Sequence, residues 1–472
     1  MKKILLTLLI SFGFNASLAS AQSVEQAEHL VSVWLEAQRD YNDWPSISVS
    51  FVDDQKIIYA KSFGYANPHT ELEATPDTLY RIASNSKLFT SLAIMQLRDA
   101  GKLDLRDPAK KYIPWLTIKQ KYPLSDVISI ESLLTHSSGL PYEPNLGYWS
   151  YRDGYPFPDL EELKKSTSNL ETLYRAWEHY QYSNLGFMLL GQVVENASGM
   201  SYEKYVHNHI IKPMGLNNSY TNIDPKKHGN DLAIGYGSLD RKRQRMEVPF
   251  IDARATTSAA GVSSSANDLA KFLMWQIRTY NGAGDKILNQ NSLREMMRPH
   301  AVHAAENMDV GYGFRTTYRN GISYIGHGGV YAGHTSQTMI EPNQKIGAVA
   351  LMNTHSSTPP LQIVNNMMDI LGPVLKANNP KPVEDFSEYE GSYDQQPWAD
   401  ELYIMQWGDE LISFSLKSGY PLDSITRYRH LEGDNFIALR DDGGEADVTT
   451  FLRDDNGKVV RLKNQSDYLT RK

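Results

Sequence analysis

The sequence predicts an α+β domain, or three layers with a helical insertion, followed by a small antiparallel barrel or sandwich. Three observations carry this. β-Hairpin patterns sit far apart, around Ile47 to Lys61 and around Thr335 to Met352, with mostly helical periodicity between them. A polar, proline-bearing stretch then interrupts the chain at residues 376–386. Beyond it come short β-like runs separated by turn dipeptides.

In chain order, Lys2 and Lys3 precede an apolar run, Ile4 to Phe14, and the small residues Ala19-Ser20-Ala21, so residues 1–21 read as a secretory signal. That run is short for a bilayer span, and no later stretch reaches about 18 apolar residues. The expectation is an exported, periplasmic protein without stable membrane insertion after cleavage. Ile47, Val49 and Phe51 alternate before Asp53-Asp54-Gln55-Lys56 turns the chain back through Ile57 to Lys61. Helical periodicity follows at Leu88 to Asp99, Gly186 to Asn196, Tyr202 to Ile211 and Ala266 to Tyr280; glycine or proline closes the first three. Strands far apart in sequence with helices between them imply one sheet completed by distant segments. After the linker, short runs at Leu402, Leu411, Phe436, Val448 and Val459 are punctuated by Gly408-Asp409, Gly433-Asp434 and Asn456-Gly457.

Composition narrows the chemistry. The 472 residues carry 47 Lys plus Arg against 55 Asp plus Glu, a formal charge of −8, which argues against nucleic-acid partners. There is no cysteine. Disulfides, thiol nucleophiles and Cys-ligated metals are therefore excluded, and covalent chemistry must use another nucleophile. The histidine pairs His207/His209, His300/His303 and His327/His334 lack metal-site spacing and clustered acids, so no metal is expected.

Ser84-Asn85-Ser86-Lys87 opens a helix, which sets Lys87 on the same face as Ser84. A serine hydroxyl needs such a base, and the helix N-terminus and burial both favour a neutral amine. Serine is equally a helix cap, and Ser201-Tyr202-Glu203-Lys204 repeats the spacing where capping suffices. The tetrad gains weight from its company. Tyr182-Ser183-Asn184 stands just before an apolar helix, and His327-Gly328-Gly329 ends the strand-like run from Ile322. Serine-lysine tetrad, polar triplet and glycine-bearing strand occur in that order in penicillin-recognising enzymes.

With these motifs and the segments Leu133 to Leu140, Pro213 to Leu216 and Ala260 to Leu269, the sequence resembles the β-lactamase-related serine hydrolases. That family includes class C β-lactamases, DD-peptidases, D-aminopeptidases and esterases. The resemblance implies a penicillin-binding-protein-like fold over residues 22–375, an antiparallel sheet flanked by helices plus a helical subdomain. From Tyr389-Glu390-Gly391 onward the chain resembles the appended lipocalin-like β-domain, giving a small barrel over 387–472. The family roles fall on Ser84 as nucleophile, Lys87 as proton acceptor and Tyr182 as acid and base. Asn184 would orient the substrate amide or Lys87, His327 takes the place of the lysine common in the third motif on the substrate side, and the N–H groups of Ser84 and Val330, with Gly329, would line the oxyanion hole. No cofactor is implied.

The expected activity is cleavage of an ester or amide bond, including D-amino-acid or cell-wall-related peptides, through a Ser84 acyl-enzyme. A histidine of ordinary pKa about 6.5 in the third motif weakens a dedicated carboxylate-binding role. β-Lactamase or DD-carboxypeptidase activity stays open, as does an inactive penicillin-binding-like module. The aromatic stretch Tyr142, Tyr148, Trp149, Tyr151, Tyr155 and Phe157 reads either as a pocket wall or as a packed surface loop. His136 reads as fixing a loop. For the C-terminal domain a carrier role competes with a structural one.

Overall fold

The computed structural model describes residues 23–472 apart from 151–153, 230, 283, 357 and 377–383. The expected signal segment, Tyr151 and most of the expected linker lie outside the described residues. Two compact units emerge, Asp43–Val364 and a second made of the chain before it together with Asn365–Lys472.

The first unit is built on a nine-stranded sheet. Its strands are β1 (Ser46–Asp53), β2 (Lys56–Asn67), β3 (Leu72–Glu73), β4 (Ala301–His303), β5 (Met308–Val310), β6 (Arg315–Arg319), β7 (Ile322–Tyr331), β8 (His334–Glu341) and β9 (Ile346–Met352). The order across the sheet is β3-β2-β1-β9-β8-β7-β6-β5-β4. Every pairing is antiparallel, so both expected hairpins join one sheet, with β1 lying against β9 and Val49 facing Ala350. β8 and β9 are buried along their whole length. The polar alternates of β1 are buried as well: Ser46 and Ser48 sit 2.8 and 3.0 Å from the Tyr80 hydroxyl. A short hydroxyl side chain can face a helix-covered layer when a neighbouring phenol satisfies it.

The helices Ser86–Asp99 and Asn184–Ser198 pack together, and the second carries Gly191 where a Cβ would lie 2.4 Å from Ser258 Oγ. Glycine is required there for the close approach of the segment Thr257–Gly261. The expected helix Tyr202 to Ile211 holds its length but widens to π geometry over His207–Ile211.

The second unit closes eight strands into a barrel: β10 (Gly391–Asp394), β11 (Leu402–Trp407), β12 (Glu410–Ser415), β13 (Thr426–Glu432), β14 (Asn435–Leu439), β15 (Glu445–Arg453), β16 (Val459–Asn464) and β17 (Asp467–Arg471). Tyr389, Tyr393, Phe436 and Phe451 pack with Leu411, Leu462 and Leu469 in its core. Aromatic side chains fill the space that a carrier would keep for cargo. The helix Val24–Tyr41, opened by a Ser23/Gln26 capping box, belongs to this unit. Trp34 Nε1 and Gln38 Nε2 donate to the carbonyls of Ser418 and Leu416.

Candidate active site

Ser84 lies on a turn held from three sides. The short strand Tyr80–Arg81 pairs with Ser263–Ser264, and Ile82 N–H donates to Val262 O at 3.0 Å. Ala83 then adopts φ 52°, a left-handed conformation that an alanine takes at a cost, and the 3₁₀ turn Ala83–Asn85 leads into helix Ser86–Asp99. Strand β8 clamps the turn: Ser336 Oγ donates to Ile82 O at 2.7 Å, Asn85 Nδ2 to Ser336 Oγ at 2.8 Å, and Thr338 Oγ1 to Asn85 Oδ1 at 2.6 Å. From β7, Gly329 closes in so tightly that a Cβ would stand 2.5 Å from Ile82 O and 2.8 Å from Ala83 Cβ. Only a glycine fits at that point.

Lys87 is fully buried. Its Nζ lies 2.7 Å from Asn184 Oδ1, 2.8 Å from Ala259 O and 3.1 Å from Ser84 Oγ. Burial holds the amine well below the ordinary lysine value; Glu143 opposes that shift and Arg315 adds to it. A neutral amine has two N–H donors and one lone pair. The two carbonyl oxygens can only accept, so they take the two N–H groups, and the lone pair is left for the hydroxyl of Ser84.

Tyr182 OH donates to Ser84 Oγ at 2.9 Å. Burial raises the phenol above its ordinary value, against the pull of Arg315 and of the Ser84 bond, so it is a proton donor at neutral pH. Asn184 begins the helix capped by Ser183, whose Oγ accepts from Gly186 N–H at 3.0 Å. His136 does more than fix a loop. Its ring packs 4.4 Å from that of Tyr182, and its Nδ1 accepts the Ser183 N–H at 3.0 Å. Burial keeps it well below the ordinary histidine value, which preserves that lone pair.

The third motif lies on β7. His327 is 2% exposed and its ring centroid is 6.4 Å from that of Tyr182. Burial, with Arg315 and Lys87 adding, holds it well below the ordinary value. Its Nδ1 faces Gly328 O, so Nδ1 carries the proton and Nε2 the lone pair. Val330 follows as an exposed residue. Thus Ser84, Lys87, Tyr182 and Asn184 form one hydrogen-bonded cluster, with His327 and Gly329 beside it. The competing tetrad is elsewhere: Ser201 Oγ accepts from Lys204 N–H and caps a surface helix.

Two residues of the cluster carry no motif. Glu143 accepts from Asn184 Nδ2 at 2.6 Å, from the Tyr148 hydroxyl and from Trp149 Nε1 at 3.3 Å. Asn184 is thereby oriented with its carbonyl toward Lys87. Arg315, on β6 opposite Gly326, sets its guanidinium 5.0 Å from the Tyr182 ring. The aromatic stretch divides between the two readings: Tyr148 and Phe157 are buried against each other, while half-exposed Tyr142 packs 5.7 Å from Tyr182.

A family model described as Beta-lactamase matches residues 34–366. The chain belongs to the Beta-lactamase family. Among solved structures, the octameric penicillin-binding protein homologue from Pyrococcus abyssi is similar at a TM-score of 0.65 and 28% identity, covering 94% of this chain and 99% of that one. Protein flp of Staphylococcus aureus (strain MRSA252) is 27% identical over 333 residues, 68% of this chain and 63% of its own length. Beta-lactamase-like protein 2 of Dictyostelium discoideum is 26% identical over 449 residues, 91% of this chain and 78% of its own. The chain spans just under two thirds of Protein flp. Family membership and the likeness to the penicillin-binding protein homologue agree on a β-lactamase/penicillin-binding-protein-like fold.

In this Beta-lactamase family member the charge of Glu143 raises the pKa of Lys87, so Glu143→Gln is expected to move the acid limb of the pH–rate profile toward lower pH. An unshifted or upward-shifted limb in a kcat/KM profile with a chromogenic ester would remove Glu143 from the electrostatics of the base.

Proposed function

We propose that the protein is an exported hydrolase that opens an ester or amide bond by acyl transfer to Ser84, in substrates whose carboxylate meets Arg315. The observation that carries this is the arrangement of Lys87, with two carbonyls on its N–H groups and its lone pair toward Ser84. Ser84 Oγ attacks the carbonyl carbon while its proton passes to Lys87 Nζ. As the tetrahedral adduct collapses, Tyr182 gives its proton to the departing oxygen or nitrogen and is reprotonated from Lys87. Deacylation runs in reverse, with water in place of the leaving group. Asn184 and Glu143 keep the base aligned, and backbone N–H groups of Ser84 and Val330 are proposed to hold the oxyanion.

Neutral His327 cannot anchor a carboxylate by charge, but Arg315 supplies a permanent cation beside Tyr182. This favours peptides ending in a free carboxylate, D-amino-acid peptides among them, and keeps β-lactams as alternative acyl donors. Export rests on the N-terminal signal pattern. An inactive binding module would have no use for a buried lysine base.

The full chain is to be treated with a fluorescent penicillin and a fluorophosphonate, and the adduct mapped by mass spectrometry. One label per chain, on Ser84, is expected. A chain that takes neither label and turns over no ester would leave only the binding-module reading. For substrate class, Arg315→Gln is expected to lower kcat/KM for a D-peptide with a free C-terminal carboxylate by about 10- to 100-fold, with little effect on the same peptide amidated. Equal losses for the two peptides would show that Arg315 does not meet the carboxylate.

A further inference from the structure

Just before the turn that carries Ser84 the chain buries a guanidinium that forms no ion pair with a carboxylate among the described residues, Asp252 acting on it only through its field. Arg81 is 3% exposed, and among the described residues only its Nη2 has a hydrogen-bond partner, the Ile251 carbonyl at 2.7 Å. The Phe250 and Tyr331 rings lie 4.8 and 5.7 Å from its Cζ. Arginine remains charged even when burial lowers its pKa, as it does here. A charge kept in such surroundings with one hydrogen bond is costly unless something else meets it.

What Arg81 faces is a cavity of about 180 Å³, walled by Ile223, Leu232, Val248 and Phe250. His334 also lines it, is 2% exposed, and its Nδ1 has no hydrogen-bond partner. Burial lowers His334 to about 3, so the ring is neutral and has one N–H to offer. The acid that lines the cavity, Glu247, is engaged by His69 at 2.7 Å. Arg81, with one hydrogen bond, and the neutral His334 ring therefore line one small, largely apolar space, the unpartnered Nδ1 being sealed away from it. Neither Ser84, Lys87 nor Tyr182 lines it.

We propose that this cavity is a second binding site, for a small carboxylate with an apolar body. The carboxylate oxygens meet the free edge of Arg81 and the His334 N–H, and the hydrocarbon lies against Ile223, Leu232 and Phe250. Planar guanidinium matches carboxylate through paired N–H donors, and apolar walls with a few convergent polar groups are the usual form of a small-molecule site. The site does not depend on the proposed acyl transfer.

Calorimetry on full-length Ser84→Ala protein separates the two. The probes are benzoate, its neutral counterpart benzyl alcohol, and inorganic phosphate as a bare anion. Saturable binding of one benzoate per chain is expected, at least about tenfold tighter than either of the others. Arg81→Gln is expected to weaken benzoate at least about tenfold, and Arg315→Gln to leave it unchanged. Should Arg81→Gln fail to fold, Val248→Trp decides, because it fills the cavity while leaving Arg81 in the chain and should abolish the binding. Absence of saturable binding up to about 20 mM benzoate, or equal affinity for benzyl alcohol or phosphate, overturns the proposal. So does benzoate binding that survives Val248→Trp or Arg81→Gln, or that is lost in Arg315→Gln.

Discussion

Ser84→Ala is expected to abolish covalent labelling and to lower kcat/KM for a chromogenic ester by about 10⁴-fold or more, while Ser201→Ala leaves both intact. The two serines share the same spacing to a lysine, and their surroundings differ in every respect that matters. Ser84 Oγ lies 3.1 Å from an amine that burial holds well below the ordinary lysine value and 2.9 Å from a phenol that can donate. Its turn is pinned by β8 and closely approached by Gly329, so the hydroxyl is held where both groups reach it. Among the described residues Ser201 Oγ meets only the Lys204 N–H, and losing that cap should cost about 1 kcal/mol of stability, read as a lower Tm with unchanged turnover. Unchanged labelling of Ser84→Ala would sink the acyl-enzyme, and loss of turnover confined to Ser201→Ala would move the nucleophile to the other tetrad.

Much of the site was legible because its motifs are local. Serine and lysine three residues apart at a helix start, and tyrosine and asparagine two apart at another, need only backbone geometry to bring each pair together. Order along the chain then set Ser84 apart from Ser201. Glu143 and Arg315 left no such signal. Glu143 is a single acid in an aromatic stretch, and its contact with Asn184 exists only because the segment after Pro141 folds back over the helix start. Arg315 is a single cation on a strand, and the pairing of β6 with β7 alone places it near Tyr182. A charged residue among apolar and aromatic neighbours was the available clue for both.

The fold was readable to the same degree. Both hairpins carried strong alternation, but only the distant one was found at nearly its observed ends, since β2 runs on to Asn67 beyond the expected Lys61; five barrel strands carried apolar runs. β13, Thr-Arg-Tyr-Arg-His-Leu-Glu, and β17, Asp-Tyr-Leu-Thr-Arg, were not read as strands, because their charged alternates mask a narrow inward face made by Tyr428 and Leu469. The helix Val24–Tyr41 was missed although Ala27, Leu30, Val31, Trp34 and Leu35 keep helical spacing and Ser23 with Gln26 forms a capping box. Barrel closure itself is a long-range property that local periodicity does not encode.

Lys87→Met is expected to lower kcat/KM by about 10³-fold at pH 7 and to change how stability responds to pH. Methionine keeps most of the volume in a site with no room to collapse, so the loss reports chemistry more than packing. It removes the lone pair that receives the Ser84 proton, and it leaves Asn184 Oδ1 and Ala259 O without their donor. In the wild type, Lys87 titrates below its ordinary 10.5 because burial disfavours the ammonium. Between that lowered value and 10.5 the unfolded chain binds a proton that the folded chain does not. Stability therefore gains with rising pH across this window, and that gain should be missing from Lys87→Met when denaturant unfolding of the two proteins is compared. Under the proposed acyl transfer the same titration is expected to set the acid limb of the wild-type rate profile, since only the neutral amine can accept a proton. If the two proteins keep the same difference in stability from pH 7 to pH 10.5, Lys87 is not buried in its neutral form, and the geometry that assigns it as base no longer holds.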